Sequence, residues 1–278
     1  MKKRRIIGGL LLLVALCAVV YPLISNRVNQ QKQNKIVVEY NNTVTAASSQ
    51  EQAAVFSKAN EYNKRLHSGG GVTAEEYNSL MNLNGDGIMG VLEIPCISVK
   101  LPIYHGTSES SLQRGIGHLY GTSLPTGESG THTALSGHSG MAGQKMLTDL
   151  VELEDGDTFK LHILNETFTY EVDKIMTVLP HETGYLQPTG DDARVTLITC
   201  VPYGVNSHRL LVSGIRMSDE ETADEEAAQS TSKSEDKKTS SWDAMYYMGI
   251  AIGAILAIII VSIWIFVKKF KQRNIKVV

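Results

Sequence analysis

The sequence is short of cysteine. Three occur in 278 residues, and Cys17 lies inside an apolar run, so only Cys96 and Cys200 belong to the polar part of the chain. Two thiols exclude a disulfide framework and a Cys-rich zinc site. What remains is a single 96–200 bond, or one reactive thiol beside one packed in the core. No two histidines have metal-ligand spacing. Basic residues are scarce where a nucleic acid would need them. Lys and Arg number 26 against 29 Asp and Glu, but four of the basic residues lie in positions 1–5 and five in positions 268–278. The remainder carries 17 basic against 29 acidic residues, a net of −12, with no basic patch. Residues 218–241 lack apolar side chains almost entirely, cannot build a core, and read as a disordered acidic tether.

Two long apolar runs are present, at 6–25 and 246–267. Each has about the 20 residues that cross a bilayer as a helix. Basic residues flank the outer end of both, so the positive-inside rule puts residues 1–5 and 268–278 in the cytoplasm and the middle of the chain outside. The stretch Val20-Tyr-Pro-Leu-Ile-Ser25 is a poor small-residue cleavage site, which favours a retained anchor over a removed signal peptide. The expected protein is therefore a multi-pass protein of the cell membrane.

Residues 26–50 are rich in Gln and Asn and read as a polar stalk. Residues 51–66 carry a helical pattern, His67-Ser-Gly-Gly-Gly71 breaks it, and Thr73-Ala-Glu-Glu76 resembles a capping box opening a second helix through Met81. From Asn82 to Glu93 the oxygen-bearing side chains approach calcium-loop spacing. Asn82 in place of Asp, and a strand-like run where a helix should follow, favour a helix-to-strand turn. Residues 90–217 are β-like. Strand runs recur at Val91–Ile94, Val99–Ile103, Thr133–Ser136, Thr158–Leu164, Glu166–Val178, Val195–Thr199 and Leu210–Ile215, with a helical turn near Asp149. Seven or eight short strands at this spacing predict a mainly β fold, closed into a barrel or stacked as a sandwich.

The most informative stretch is 195–216. Val195 to Thr199 is β-branched at four of five positions, Pro202, Gly204, Asn206 and Ser207 form a loop, and Leu210 resumes an apolar run. Cys200 thus ends one strand and Arg209 begins the next. On paired strands a thiol and a guanidinium share one site, the first able to attack a carbonyl and the second to hold the oxyanion that forms. A free thiol is mostly protonated at neutral pH and needs a base or cationic partner. His138, between Gly137 and Gly140 at the end of a β-run, is the first choice. His105, His118 and His208 are lesser candidates, and His67, His132, His162 and His181 suit surface or turn positions.

The pieces Leu101-Pro-Ile-Tyr-His-Gly-Thr107, Gly117-His-Leu-Tyr-Gly-Thr-Ser-Leu-Pro125, Ser136-Gly-His138 and Thr196-Leu-Ile-Thr-Cys200, with Arg209 nine residues on, resemble sortases. The resemblance covers roughly residues 60–217 and is strongest to the class C, pilus-assembling sortases of Gram-positive bacteria, in which a C-terminal anchor is typical. It implies a closed sortase-type barrel of about eight strands over 90–217, with 51–89 as a helical segment in the lid region. It also implies cleavage of an LPXTG-like sorting signal by Cys200 and transfer of the thioacyl group to a lysine of another pilin. His138 is then the acid and base, Arg209 holds the oxyanion or substrate backbone, and no metal or cofactor is needed. A housekeeping-type sortase that anchors proteins to peptidoglycan is the alternative. Two departures stand out. Residues 63–77 contain neither the Asp-Pro-aromatic lid motif of class C nor Trp or Phe, so the thiol is expected to be uncovered, and Val201 replaces a common Thr. An L,D-transpeptidase would have Arg two residues after Cys, and a papain-like protease would have Cys at an early helix start, so neither pattern matches. A membrane-tethered scaffold with a dead site is the non-enzymatic reading.

Overall fold

The computed structural model describes residues 2–223 apart from 142, 189 and 219, together with 248, 249 and 251–253. For much of the stretch up to residue 23 it describes the backbone but not the side chains. Eight strands form a closed barrel: β1 (Ile88–Ile94), β2 (Val99–His105), β3 (Ile116–His118), β4 (His132–Ser136), β5 (Thr158–Ile163), β6 (Glu166–Val178), β7 (Arg194–Val201) and β8 (His208–Arg216). Their order around the barrel is β1-β2-β3-β4-β7-β8-β6-β5. The β2–β3 and β4–β7 pairs are parallel and the others antiparallel. Closure leaves no free edge.

Alternation builds the interior. Along β5, Phe159, Leu161 and Ile163 are fully buried, while Thr158, Lys160 and His162 are only partly so. Phe159 stacks on Tyr170 of β6 at 5.4 Å. Strand β7 is covered on both faces. Val195 and Leu197 join the barrel interior, and Ile198 packs outside it with Ala134, Leu211 and Leu186 of the β6–β7 crossover. Double burial explains why this strand reads as an almost unbroken apolar run. The seven strand runs in the sequence each correspond to a strand. Three-residue β3 is the eighth, too short to carry a period of its own.

Four helices accompany the barrel: α1 (Lys2–Ala46), α2 (Ser49–His67), α3 (Ala74–Ser79) and α4 (Glu109–Leu112). The stalk expected at 26–50 is a correction. Helix α1 continues through Ala46, and its Val37, Tyr40 and Val44 are buried on the barrel. The Tyr40 hydroxyl donates to the Met89 carbonyl (3.1 Å) and accepts from Leu164 N–H (2.9 Å). Spacing of three and four residues puts those side chains on one helical face. Flanking membrane helices are not supported by the structure. Among the described residues no helix is long and apolar enough to cross a membrane. The second expected span, 246–267, and most of the tether, 218–241, lie outside the described residues.

Ser48 and Glu51 cap α2 reciprocally. At α3 only half of the expected box forms. Thr73 accepts from Glu76 N–H, but the Glu76 carboxylate pairs with Arg65 of α2 instead. The second helix also stops at Ser79, short of Met81. Helices α2 and α3 dock firmly despite the glycines between them. Asn63 accepts from Leu124 N–H and donates to its carbonyl (2.8 and 3.0 Å), and the Tyr77 hydroxyl meets His118 Nδ1 at 2.9 Å. The calcium-like stretch is a turn into β1. Asn82 and Asp86 cap the N–H groups of Gly87 and Ile88, and Glu93 lies on the strand against Lys100 and His162.

Candidate active site

Register fixes half of the site. In the β7–β8 ladder Cys200 lies directly opposite Arg209, with Thr199 opposite Leu210 and Val201 opposite His208. Directly opposed residues point to the same face, with Cβ atoms about 5 Å apart. Both residues lie one position inside their strands rather than at the ends expected from sequence. Cys200 is a free, partly exposed thiol. Cys96 is elsewhere, in the 3-10 turn after β1, packed against the barrel core. Arg209 Nη1 donates to the carbonyls of Asn206 and His208 at 3.1 and 3.0 Å. Those bonds hold the guanidinium against the β7–β8 loop and leave Nη2 for another acceptor.

The other half is brought in by the parallel β4–β7 pair, in which Ser136 lies opposite Ile198. Two residues on from each come His138 and Cys200. Two bonds carry the pairing past the end of β4: Gly137 N–H donates to the Ile198 carbonyl (2.9 Å), and Thr199 Oγ1 donates to the Gly137 carbonyl (2.9 Å). Gly140, at φ +75°, lets the His138 loop approach the Cys200 loop. A Cβ there would lie 2.7 Å from both the Tyr203 ring and Thr148 Oγ1.

One observation singles out His138 among the imidazoles. His105, His118 and His132 each have both ring nitrogens bonded to the protein. The first fastens the turn before β1 to the Gly87 and Leu80 carbonyls. The second is fully buried, and burial pulls its pKa down to about 4. His138 Nε2 is itself buried and has no hydrogen-bond partner among the described residues. Its nearest charge is Glu109 Oε1 of α4 at 3.8 Å, too long for a hydrogen bond. A buried imidazole nitrogen left unbonded is poised to exchange a proton with something that enters.

A cavity of about 510 Å³ opens beside the thiol. Cys200, Val151, Thr177, Tyr203, His208 and Leu210 form much of its wall, which is mostly apolar. His138 and Arg209 are not in the wall themselves; their neighbours Ser139, His208 and Leu210 are. Among the described residues none of that wall comes from 51–89. A larger hollow of about 660 Å³ lies between α2 and the β5–β6 turn, but no thiol or imidazole lines it. Sequence reasoning missed Thr148 and Val151, which line the cavity, and Glu109, which lies beside His138. None stands in a motif, and only folding brings them to the site.

The comparisons with known proteins point to one family. A family model described as Sortase domain matches residues 92–217. The crystal structure of sortase C1 from Streptococcus agalactiae is 42% identical, with 66% of this chain and 99% of that one covered, at a TM-score of 0.64. Sortase C of Clostridium perfringens, solved with the C-terminal cell wall sorting motif, is 40% identical, covering 66% and 98%, at a TM-score of 0.60. Among curated proteins, sortase D of Bacillus subtilis (strain 168) is 33% identical over 131 residues, 46% of this chain. The chain spans 63% of that relative's length.

Proposed function

The chain belongs to the sortase family of cysteine transpeptidases, among its class C members, and from that premise we propose that it joins pilin subunits through Cys200. The substrate is an LPXTG-like sorting signal near the C-terminus of a pilin or surface protein. The Cys200 thiolate attacks the Thr–Gly carbonyl, whose electron pair moves on to oxygen. Arg209 donates to that oxyanion or to the backbone beside it. Collapse breaks the C–N bond, and the leaving glycine amine takes a proton from the His138 imidazolium. A thioester remains. A lysine amine of a second pilin attacks it and passes a proton to His138, the C–S bond breaks, and an isopeptide bond has formed. The steps call on no metal or cofactor.

The observation that carries this reading is the pairing of Cys200 with Arg209 beside a loop whose His138 keeps an unbonded, buried Nε2. The hydropathy of the sequence, and not the described helices, supports the two apolar runs, 6–25 and 246–267, as membrane spans. Residues 1–5 and 268–278 are then cytoplasmic, the barrel is outside, and 218–241 is the tether. The basic flanks support that orientation.

The test uses the full-length chain in detergent with a pilin bearing an LPXTG-like tail. A ladder on a denaturing gel that survives boiling and thiols, and is absent with Cys200→Ala, is expected. Cys200-dependent loss of the tail without a ladder points to anchoring on peptidoglycan instead. Equal products with and without the thiol would sink both.

A further inference from the structure

The loop that carries His138 is held from two sides. Inside, Leu147 N–H donates to the His138 carbonyl at 3.0 Å, and Lys145 Nζ sits 2.6 Å from the buried Asp149 carboxylate and 2.7 Å from the Ile97 carbonyl. Outside, the loop meets α1. Asn29 Nδ2 donates to the Gly143 carbonyl (3.2 Å), Asn26 Oδ1 accepts from Lys145 N–H (3.3 Å), and Gln33 Nε2 reaches Met146 Sδ (3.4 Å). Gly143, at φ +80°, is where the two segments touch most closely, since a Cβ there would collide with the side chain of Ser25.

Positions 26, 29 and 33 follow one helical face, and the same face continues as Val37, Tyr40 and Val44. One stripe therefore changes character along its length. Its apolar end is buried on the barrel, and its carboxamide end reaches past the barrel to the main chain of the His138 loop. That end docks the helix, through apolar contacts and the two hydrogen bonds of the Tyr40 hydroxyl. The carboxamides add directional bonds to a segment that has no strand ladder beyond the short Met141–Gln144 bridge.

We propose that Asn26, Asn29 and Gln33 of α1 are positioning residues that hold the His138 loop at the thiol. This rests on the acyl-transfer reading of Cys200 and His138. The three carboxamides touch no substrate. They fix residues 143–146, residue 147 fixes the His138 carbonyl, and the imidazole follows.

The experiment compares the full-length chain with the Asn26→Ala/Asn29→Ala/Gln33→Ala triple variant, with Tyr40→Phe as a docking control. Cleavage of an LPXTG-like peptide is followed for kcat and KM, and thermal unfolding is measured on each. The triple variant is expected to lose about ten- to a hundredfold in kcat, the upper figure being the cost of a 1 Å misplacement. Its KM and unfolding temperature stay near those of the parent. Restoring a carboxamide, with Asn29→Gln in place of Asn29→Ala, recovers part of kcat. Tyr40→Phe lowers the unfolding temperature and leaves kcat within about twofold. A triple variant with the parent's kcat, or one whose kcat falls only in step with its unfolding temperature, overturns the proposal. A readout without peptide separates this failure from failure of the enzymatic reading. The rate of Cys200 alkylation is followed from acid to alkaline pH, and in the triple variant the profile moves towards that of His138→Ala. A profile identical to the parent's counts against positioning even if no peptide is ever cleaved.

Discussion

The two halves of the site are built differently. Cys200 and Arg209 sit on adjacent antiparallel strands, and their opposition follows from a ladder that runs unbroken from Arg194↔Ile215 to Val201↔His208. His138 sits two residues beyond its strand and depends on neighbours for its place: the Thr199 hydroxyl, the Leu147 amide, Gly140 and the far side of the loop. A register can slip only as a whole, because a shift of one residue turns every side chain to the other face. A loop can lose its position one bond at a time. In the proposed mechanism the nucleophile, Cys200, is therefore robust to point changes around it, and the acid–base group, His138, is not.

The largest effect that would sharpen this comparison is His138→Ala. Loss of a general acid–base costs about 10²–10⁴ in kcat/KM. The far-ultraviolet spectrum and unfolding temperature should not move, because the ring has no hydrogen bond to lose at Nε2. Arg209→Ala should cost about 10²–10³ in kcat, the range for a lost oxyanion donor. Equal kcat in parent and Arg209→Ala would break the claim that the ladder delivers two working groups rather than one.

Next comes pH, which probes the strand beneath the loop. His118 of β3 is buried and neutral in the fold, with its pKa drawn down to about 4 by desolvation. Above its ordinary value near 6.5 both states are neutral and the group contributes nothing to pH dependence. As pH falls from there towards 4, the unfolded chain takes up a proton that the folded chain refuses, so stability falls, by up to about 3 kcal/mol for this group. His105 and His132, also drawn down by burial, add to the same limb. His118→Gln should flatten part of the limb in denaturant unfolding across that window. An unchanged slope would mean that His118 does not carry it.

Smaller still is Thr199→Val. It leaves the Gly137 carbonyl without its donor, at about 1–2 kcal/mol of stability. It should slow cleavage more than it slows Cys200 alkylation, because it loosens the histidine half alone. An equal loss in both rates would contradict the division into two halves. The smallest effect is expected for His208→Ala. That ring lines the cavity and has Ser207 Oγ 2.9 Å from Nδ1. A change within about threefold in kcat would keep His138 as the acid–base group, and a loss comparable with His138→Ala would transfer the role.

These halves were also unequally legible in the sequence. The β7–β8 pair could be read because β-branched residues, a turn and a second apolar run lie in one stretch of 22 residues. That His138 belongs with them follows from a parallel pairing between strands some sixty residues apart, which no local pattern encodes. The docking of α1 was missed for a different reason. Its barrel-facing stripe mixes Asn and Gln with Val and Tyr, so hydropathy shows no helical period although the spacing has one. Strand β3 is too short to carry a signal. Glu109 reaches the site from a single-turn helix capped by Ser108 and leaves no mark on the sequence beyond that cap.

Helix α1 also imposes a phase. Each residue turns a helix by about 100° and advances it by about 1.5 Å. Insertion of a single residue between Gln33 and Val37 leaves composition and apolar docking intact, but it rotates Asn26, Asn29 and Gln33 away from the loop they hold. Insertion of seven residues brings a side of the helix back to nearly the same azimuth, displaced by about 10 Å, two turns from the atoms it must meet. The distance from the apolar docking stripe to the loop is thus counted in whole residues. Lineages of this chain should vary the length of the helix before Asn26 and conserve the interval from Asn26 to Val44.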